Sequence, residues 1–202
     1  LQGFFMAIDE FELPEDLKIA LGSVESQLAN SATLLDNLLV WSRSQLQTDE
    51  PSIQEFPLAD LVDHNMRLLQ QMATTKGIIL DNEVNPSDKI KSDPQMVSIV
   101  VRNLMQNAIK FTPKGGKVKV GLAHNGVASY LKISDNGVGM SQDKVNSLFD
   151  ITTNKTTDGT NNEKGTGLGL VICKELIEKV GGEISVSSEQ GQGTEFSLKF
   201  KN

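Results

Sequence analysis

Asn103-Leu104-Met105-Gln106-Asn107-Ala108-Ile109-Lys110-Phe111-Thr112 is the stretch on which the reading of the whole chain turns. Asn103, Asn107 and Lys110 recur at helical spacing, which puts two amides and an ammonium on one face near a helix end. Val97, Val100, Val101 and Leu104 form the apolar stripe of the same helix, and Asp93-Pro94 gives it a start, with an Asp cap and a Pro in the first turn. An amide oxygen suits a hard cation such as Mg²⁺, and a lysine is a mobile point charge for phosphate. A solvated helix face ended by Thr112-Pro113 accounts for the pattern equally well, so the stretch needs its neighbours.

Two further clusters lie downstream. Asp135-Asn136-Gly137-Val138-Gly139-Met140 follows an apolar strand. A carboxylate there can accept from the exocyclic amine of a base, and the glycines let a ligand approach the backbone; read alone, Asp-Asn-Gly is also a common turn. Gly165-Thr166-Gly167-Leu168-Gly169-Leu170 opens a helix, where free N–H groups and the helix dipole favour an anion. It lacks the Gly-Lys-Ser/Thr ending of a Walker loop, and no Rossmann strand directly precedes it. The conjunction of all three in this order is far more specific than any one of them.

Around these clusters, short strands alternate with helices. Ser52 to Pro57 reads as an edge strand, and Leu58 to Thr74 as a helix with Leu58, Leu61, Val62, Leu68, Leu69 and Met72 on its apolar face. Gly77 to Val84 reads as a strand. Lys117 to Ala123 and Ser129 to Ser134 make a hairpin across Asn125-Gly126. A short helix near Gln142 to Phe149, a helix from Gly167 to Val180, and a hairpin of Glu183 to Ser188 with Thr194 to Phe200 follow. No internal repeat is visible. The expected class is α/β (α+β), a two-layer sandwich with helices on one face of a sheet.

Upstream, Leu17, Leu21, Val24, Leu28, Ser31, Leu35, Leu38 and Ser42 step by fours and threes, the seam of a coiled coil or helical bundle. They predict one long helix over Glu15 to Gln47, preceded by a helical stub over Leu1 to Phe11 that Leu13-Pro14 cuts off. The expected boundaries are 1–48 for a helical hairpin and 49–202 for the sandwich.

A net charge of −7 over 202 residues argues against nucleic acid as a partner. The longest apolar run, Met96 to Val101, is broken by Ser98 and is far short of the ~20 residues that span a bilayer; no signal peptide is visible at Leu1. One cysteine, Cys173, excludes an internal disulfide, and His64 and His124 have no cysteine partner for a zinc site. Cys173 reads as a small core residue. Trp41 reads as packing, and Met140 as either pocket lining or core.

The motifs resemble those of sensor histidine kinases. NLMQNAIKFT matches that family's N box, DNGVGM its first glycine box, Leu148-Phe149-Asp150 its F box, GTGLGL its second glycine box, and Gly191-Gln192-Gly193-Thr194-Glu195-Phe196 its closing GxGTxF. LLDNLLVWSRSQ, Leu34 to Gln45, resembles the second helix of the dimerisation and phosphoacceptor hairpin. The resemblance implies an ATP-binding domain of the GHKL (Bergerat) type with ATP and Mg²⁺. Asp135 would take the adenine amine within the Gly137 and Gly139 loop, with Thr194 in a water-linked contact. Asn107 would supply a Mg²⁺ oxygen, with Asn103 beside it and Lys110 on phosphate. Gly165, Thr166, Gly167, Leu168 and Gly169 would turn toward the phosphates. Asp150 to Lys164 would form a mobile lid from which Lys155 and Lys164 could reach them, although a solvated lid reads as well.

The resemblance further implies a homodimer through the hairpin, a response-regulator receiver domain as partner, and a cytoplasmic setting, with membrane anchoring of the parent protein left open. One departure matters: no histidine stands early in a first hairpin helix. His64 falls off its helix's apolar stripe and His124 sits beside a turn, so both are expected to be surface residues. The expectation is therefore a piece that begins after the acceptor and does not phosphorylate itself. Two rivals remain: another ATPase of the same nucleotide fold, as in MutL-type repair proteins, gyrase or heat-shock chaperones, and a non-catalytic scaffold.

Overall fold

The computed structural model describes residues 14, 17, 24, 50–150, 159–161 and 168–201. The chain divides into two compact units, Leu1–Arg43 and Ser44–Asn202. In the first, Leu17 and Val24 are helical and 46% and 48% exposed. The rest of the predicted 15–47 helix, the 1–11 stub and Trp41 lie outside the described residues.

The second unit runs β1 (Gln54–Pro57), α1 (Leu58–Lys76), β2 (Ile79–Asn82), β3 (Lys89–Ser92), α2 (Pro94–Phe111), β4 (Lys117–His124), β5 (Ala128–Asp135), α3 (Gln142–Asn146), α4 (Gly169–Lys179), β6 (Glu183–Glu189) and β7 (Gly193–Lys201). Five strands form one sheet in the order β2-β4-β5-β7-β6, while β1 and β3 pair as a separate antiparallel ribbon. Among the described residues only the β2–β4 pair is parallel, and α2 lies in the connection that crosses between them. The helices α1, α2 and α4 cover one face, with α2 touching both of the others. This is the expected two-layer sandwich.

The sheet face under the helices is apolar because every second residue points inward. Val118, Val120, Leu131, Ile133 and Leu198 are at most 1% exposed, against Val97, Val100, Leu104 and Ile109 of α2, all at 0%. The other face carries cross-strand ion pairs: Lys117–Asp81 at 2.6 Å, Lys119–Glu83 at 2.7 Å, Lys132–Glu195 at 2.8 Å and Lys199–Glu183 at 3.0 Å.

Local chemistry sets the element ends. Asp93 caps α2, its Oδ1 accepting from Gln95 N (2.9 Å) and Met96 N (3.1 Å), while Oδ2 accepts from Ser52 N (2.9 Å). Gly77, left-handed at φ 68°, stops α1, and Ile78 N returns to the Ala73 carbonyl at 2.8 Å.

Two expectations need correction. Leu68 and Met72 are 55% and 36% exposed. The buried stripe of α1 instead runs through Val62, Asn65, Met66, Leu69 and Ala73, because the helix meets its neighbours on one side only. The polar Asn65 is held there by donating to Leu61 O (2.9 Å) and Ser98 Oγ (3.0 Å). The strand β3 was not expected at all: with Ile90 its one apolar residue, Lys-Ile-Lys-Ser offers no readable alternation, yet Ile90 and Ser92 are buried by pairing with β1. Among the described residues, no helix is long and apolar enough to cross a membrane.

Candidate nucleotide-binding site

The site is built along α2. Asn103 is 6% exposed and its Nδ2 donates to Ile99 O at 3.0 Å. A Cβ on Gly169 would stand 3.3 Å from Asn103 Oδ1, so the start of α4 passes directly over this residue. Asn107, one turn on, is half-buried. Lys110 is buried, with its ammonium 4.9 Å from the Phe111 ring centre. At the helix end, the Phe111 carbonyl accepts from Val138 N at 3.1 Å, which brings in the Asp-Asn-Gly loop. From Asn103 to Phe111 is eight residues, or about 12 Å of helix. One polar face thus runs from the α4 start to the Asp135 loop.

Asp135 ends β5 directly opposite Thr194 of β7. Its carboxylate accepts from Gly137 N at 2.8 Å and from Thr194 N. Burial pushes the carboxyl up to about 6, against the pull of those two donors. At neutral pH it is an ionised acceptor held in a poorly solvated place.

The glycines of this loop are required by the protein's own backbone. A Cβ on Gly137 would collide with the Phe111 carbonyl, and one on Gly139, which sits at φ 63°, with the Glu189 carbonyl. The loop is therefore clamped between the end of α2 and the β6–β7 turn, where Gly191 N donates to Val138 O at 2.8 Å. A concavity of about 420 Å³ lies over these strand ends, lined by Asp135, Ser188, Gly193 and Thr194 and also by Ser134, Ser187 and Glu195 of the opposite sheet face.

Asp135, Gly137, Gly139 and Thr194 thus form one cluster, and Asn103 and Gly169 a second, with Asn107 on the helix between them. Leu168 precedes the first residue of α4, its carbonyl accepting from Ile172 N at 3.0 Å. Gly165, Thr166, Gly167, Lys155 and Lys164 lie outside the described residues.

Sequence reasoning missed three contributors. Ser188 contacts Met140, Gly193 and Thr194. Lys76 donates from its buried ammonium to the Ile109 and Lys110 carbonyls, at 2.9 and 2.6 Å. Thr160 donates to the same Lys110 carbonyl from its N (3.1 Å) and Oγ1 (3.2 Å). Nothing in a lone Ser, Lys or Thr signals such a role before the fold brings the partners together.

The remaining candidates fall where expected. Cys173 is fully buried, which pushes its thiol up, out of reach of ionisation. His64 is exposed on α1. His124 is exposed too, with Nδ1 3.0 Å from Ser129 Oγ, at the opposite end of β5 from Asp135. Met140 is half-buried. Among the described residues, no three His, Cys, Asp or Glu side chains come together as a metal site.

Known proteins show the same organisation. Residues 92–202 match the family described as Histidine kinase-, DNA gyrase B-, and HSP90-like ATPase. The chain is 30% identical over 205 residues to the sensor protein GacS of Pseudomonas syringae pv. syringae, covering 98% of this chain and 23% of GacS. The catalytic domain of histidine kinase ThkA in a nucleotide-free form superposes with a TM-score of 0.64 at 26% identity, covering 74% of this chain and 97% of that one. Full-length ShkA in complex with AMPPNP superposes with a TM-score of 0.71 at 25% identity, covering 96% of this chain and 40% of that one. The chain spans less than a third of the length of GacS. With its five motifs, its two-layer sandwich and this match, the chain belongs to the histidine kinase-, DNA gyrase B- and HSP90-like ATPase family and carries a GHKL-type ATP-binding domain of the sensor histidine kinase kind.

Proposed function

We propose that the chain is the ATP-binding kinase part of a two-component sensor histidine kinase, which passes the ATP γ-phosphoryl to a histidine for relay to a response-regulator aspartate. The observation that carries this reading is the polar face of α2, with a half-buried carboxylate at one end and a glycine helix start at the other. Asp135 accepts from the adenine amine, with Thr194 beside it. Asn107 offers its amide oxygen midway along the triphosphate path, next to Asn103, and Lys110 and the Gly165–Gly169 segment serve the phosphates.

The amide oxygen of the half-buried Asn107 would hold a divalent cation. Bound there, Mg²⁺ would supply charge neutralisation of the phosphates. The chain's own part is positioning. The complex of full-length ShkA with AMPPNP supports nucleotide binding by this fold. His124 is no acceptor for this site in the same chain: Ser129, its neighbour, is six residues from Asp135 along β5, or about 20 Å.

The test is calorimetry of the whole chain with Mg·ATP and Mg·GTP. The expected result is a strong preference for ATP, and a 5- to 150-fold weaker Mg·ATP affinity in Asp135→Ala, roughly the cost of leaving one polar group unpaired. Equal affinities for ATP and GTP in the parent chain would overturn the reading.

A further inference from the structure

Ser188, on β6, has a hydrogen-bonding capacity of one proton and two lone pairs, and all three are used. Its Oγ accepts from Met140 N at 2.9 Å, donates to the Gly193 carbonyl at 2.8 Å, and lies 2.9 Å from Thr194 Oγ1. A carbonyl has no proton to give, so the single Ser188 proton goes to Gly193. The contact with Thr194 then forms only if the Thr194 hydroxyl is the donor. Thr194 has spent its proton on Ser188, and its oxygen offers lone pairs alone.

Thr194 and Asp135 are opposite one another on adjacent antiparallel strands and so share a sheet face. The Asp135 carboxylate is likewise acceptor-only when ionised. The pair confronts a ligand with acceptors and no side-chain donor. A 6-amino purine brings donors to that arrangement. A 6-oxo purine brings a carbonyl oxygen to the same position, and its neighbouring N1 proton can pair with only one of the two acceptors, leaving the carbonyl against the other.

We propose that Ser188 is a specificity-determining positioning residue, which fixes the Thr194 hydroxyl as an acceptor and thereby makes the pocket reject 6-oxo purines. The inference rests on the assignment of Asp135 and Thr194 to base recognition. Without Ser188, the Thr194 proton is free to turn outward and meet a 6-oxo group, so discrimination relaxes without any change in a group that faces the base.

The experiment is calorimetry of the whole chain with Mg·ATP and Mg·ITP, which differ at the base 6-position and the adjoining N1 proton. Ser188→Ala is expected to lower the ATP-to-ITP affinity ratio about tenfold, mainly by tighter ITP binding. The double variant Ser188→Ala/Thr194→Val loses that gain in ITP affinity, because the proton responsible is gone. Ser188→Thr, which keeps the hydroxyl, holds the parent ratio. Thr194→Val alone keeps Ser188 but removes the hydroxyl it holds: the lost acceptor weakens ATP, and ITP, which had no bond to that oxygen, does not weaken.

An unchanged ratio in Ser188→Ala, a parallel loss of both ligands, or an ITP gain that survives removal of the Thr194 hydroxyl would overturn the role of Ser188. So would a Thr194→Val variant that weakens ITP alone or alters neither ligand. A parent chain indifferent between ATP and ITP would overturn the base pocket itself, and the proposal with it.

Discussion

At the scale of single residues, Asp135 shows how a group proposed for base recognition works against the fold that holds it. Its carboxyl lies at about 6 in the folded chain against an ordinary value of 3.8. Between those limits the folded state holds the proton and the unfolded state does not, so ionisation opposes folding. The penalty is absent below pH 3.8, grows as pH rises through about 6, and is complete above it. The gap between the two values corresponds to about 3 kcal/mol. Asp135→Asn is therefore expected to raise the unfolding free energy of the nucleotide-free chain by up to about 3 kcal/mol near pH 8, with the gain fading toward pH 4. Urea denaturation at the two pH values checks this; an equal gain at both would mean better packing rather than a removed charge. Asp135 and Thr194 could be singled out as candidates because their motifs are contiguous in sequence, and the structure pairs them across β5 and β7. Ser188 was not, since its role depends on strand register and on the direction of one proton.

At the scale of elements, α2 carries the site and its two ends differ in how they are fixed. The N-terminus is written locally in Asp93-Pro94, and both its helix start and its cap could be read. The C-terminus is held from far away in sequence, by the Lys76 ammonium on the Ile109 and Lys110 carbonyls. A cation there also opposes the negative end of the helix dipole. Lys76→Met keeps the buried length but removes those bonds, and is expected to cost about 1 to 3 kcal/mol of stability, measured by thermal or urea unfolding. Stability unchanged from the parent would show the contact to be idle. On the same helix, Asn107→Asp adds a negative charge where phosphates are expected. Calorimetry should show weaker Mg·ATP binding with adenosine binding near that of the parent; unchanged Mg·ATP affinity would make Asn107 an ordinary half-buried residue. The apolar pattern of α1 misled at Leu68 and Met72 because hydrophobic residues flanking a buried stripe look like members of it. The strand β3 escaped because four residues with one apolar side chain carry no period.

At the scale of the whole molecule, the pattern upstream of residue 50 predicts association. Leu17 and Val24 stand seven residues apart on the predicted seam, and each is about half exposed, at 46% and 48%. A second copy can cover such a seam in a four-helix arrangement. Sedimentation equilibrium should give a mass that rises with concentration toward that of a dimer, and Val24→Glu should shift the rise to higher concentration. A monomer mass independent of concentration would contradict it. The two-layer architecture was legible from alternating strand and helix patterns, whereas the strand order depended on pairings between segments far apart in the chain.

The solvent face of the sheet bears on how the strands find one another. Leu131 faces Leu198 and Ile133 faces Phe196 across β5 and β7, so a slip of two residues still sets apolar against apolar, and burial discriminates poorly between the two alignments. The outer face discriminates against one of the two slips. In the native alignment Lys132 is opposite Ser197 and reaches Glu195, whereas a two-residue slip in one direction would set it opposite Lys199. Like charges facing each other across a ladder repel. The lysines that contribute little as surface ion pairs thus weigh against that slip while the chain refolds, and Lys199→Glu, which turns the clash into an attraction, should slow refolding by populating the misregistered sheet more than it lowers final stability.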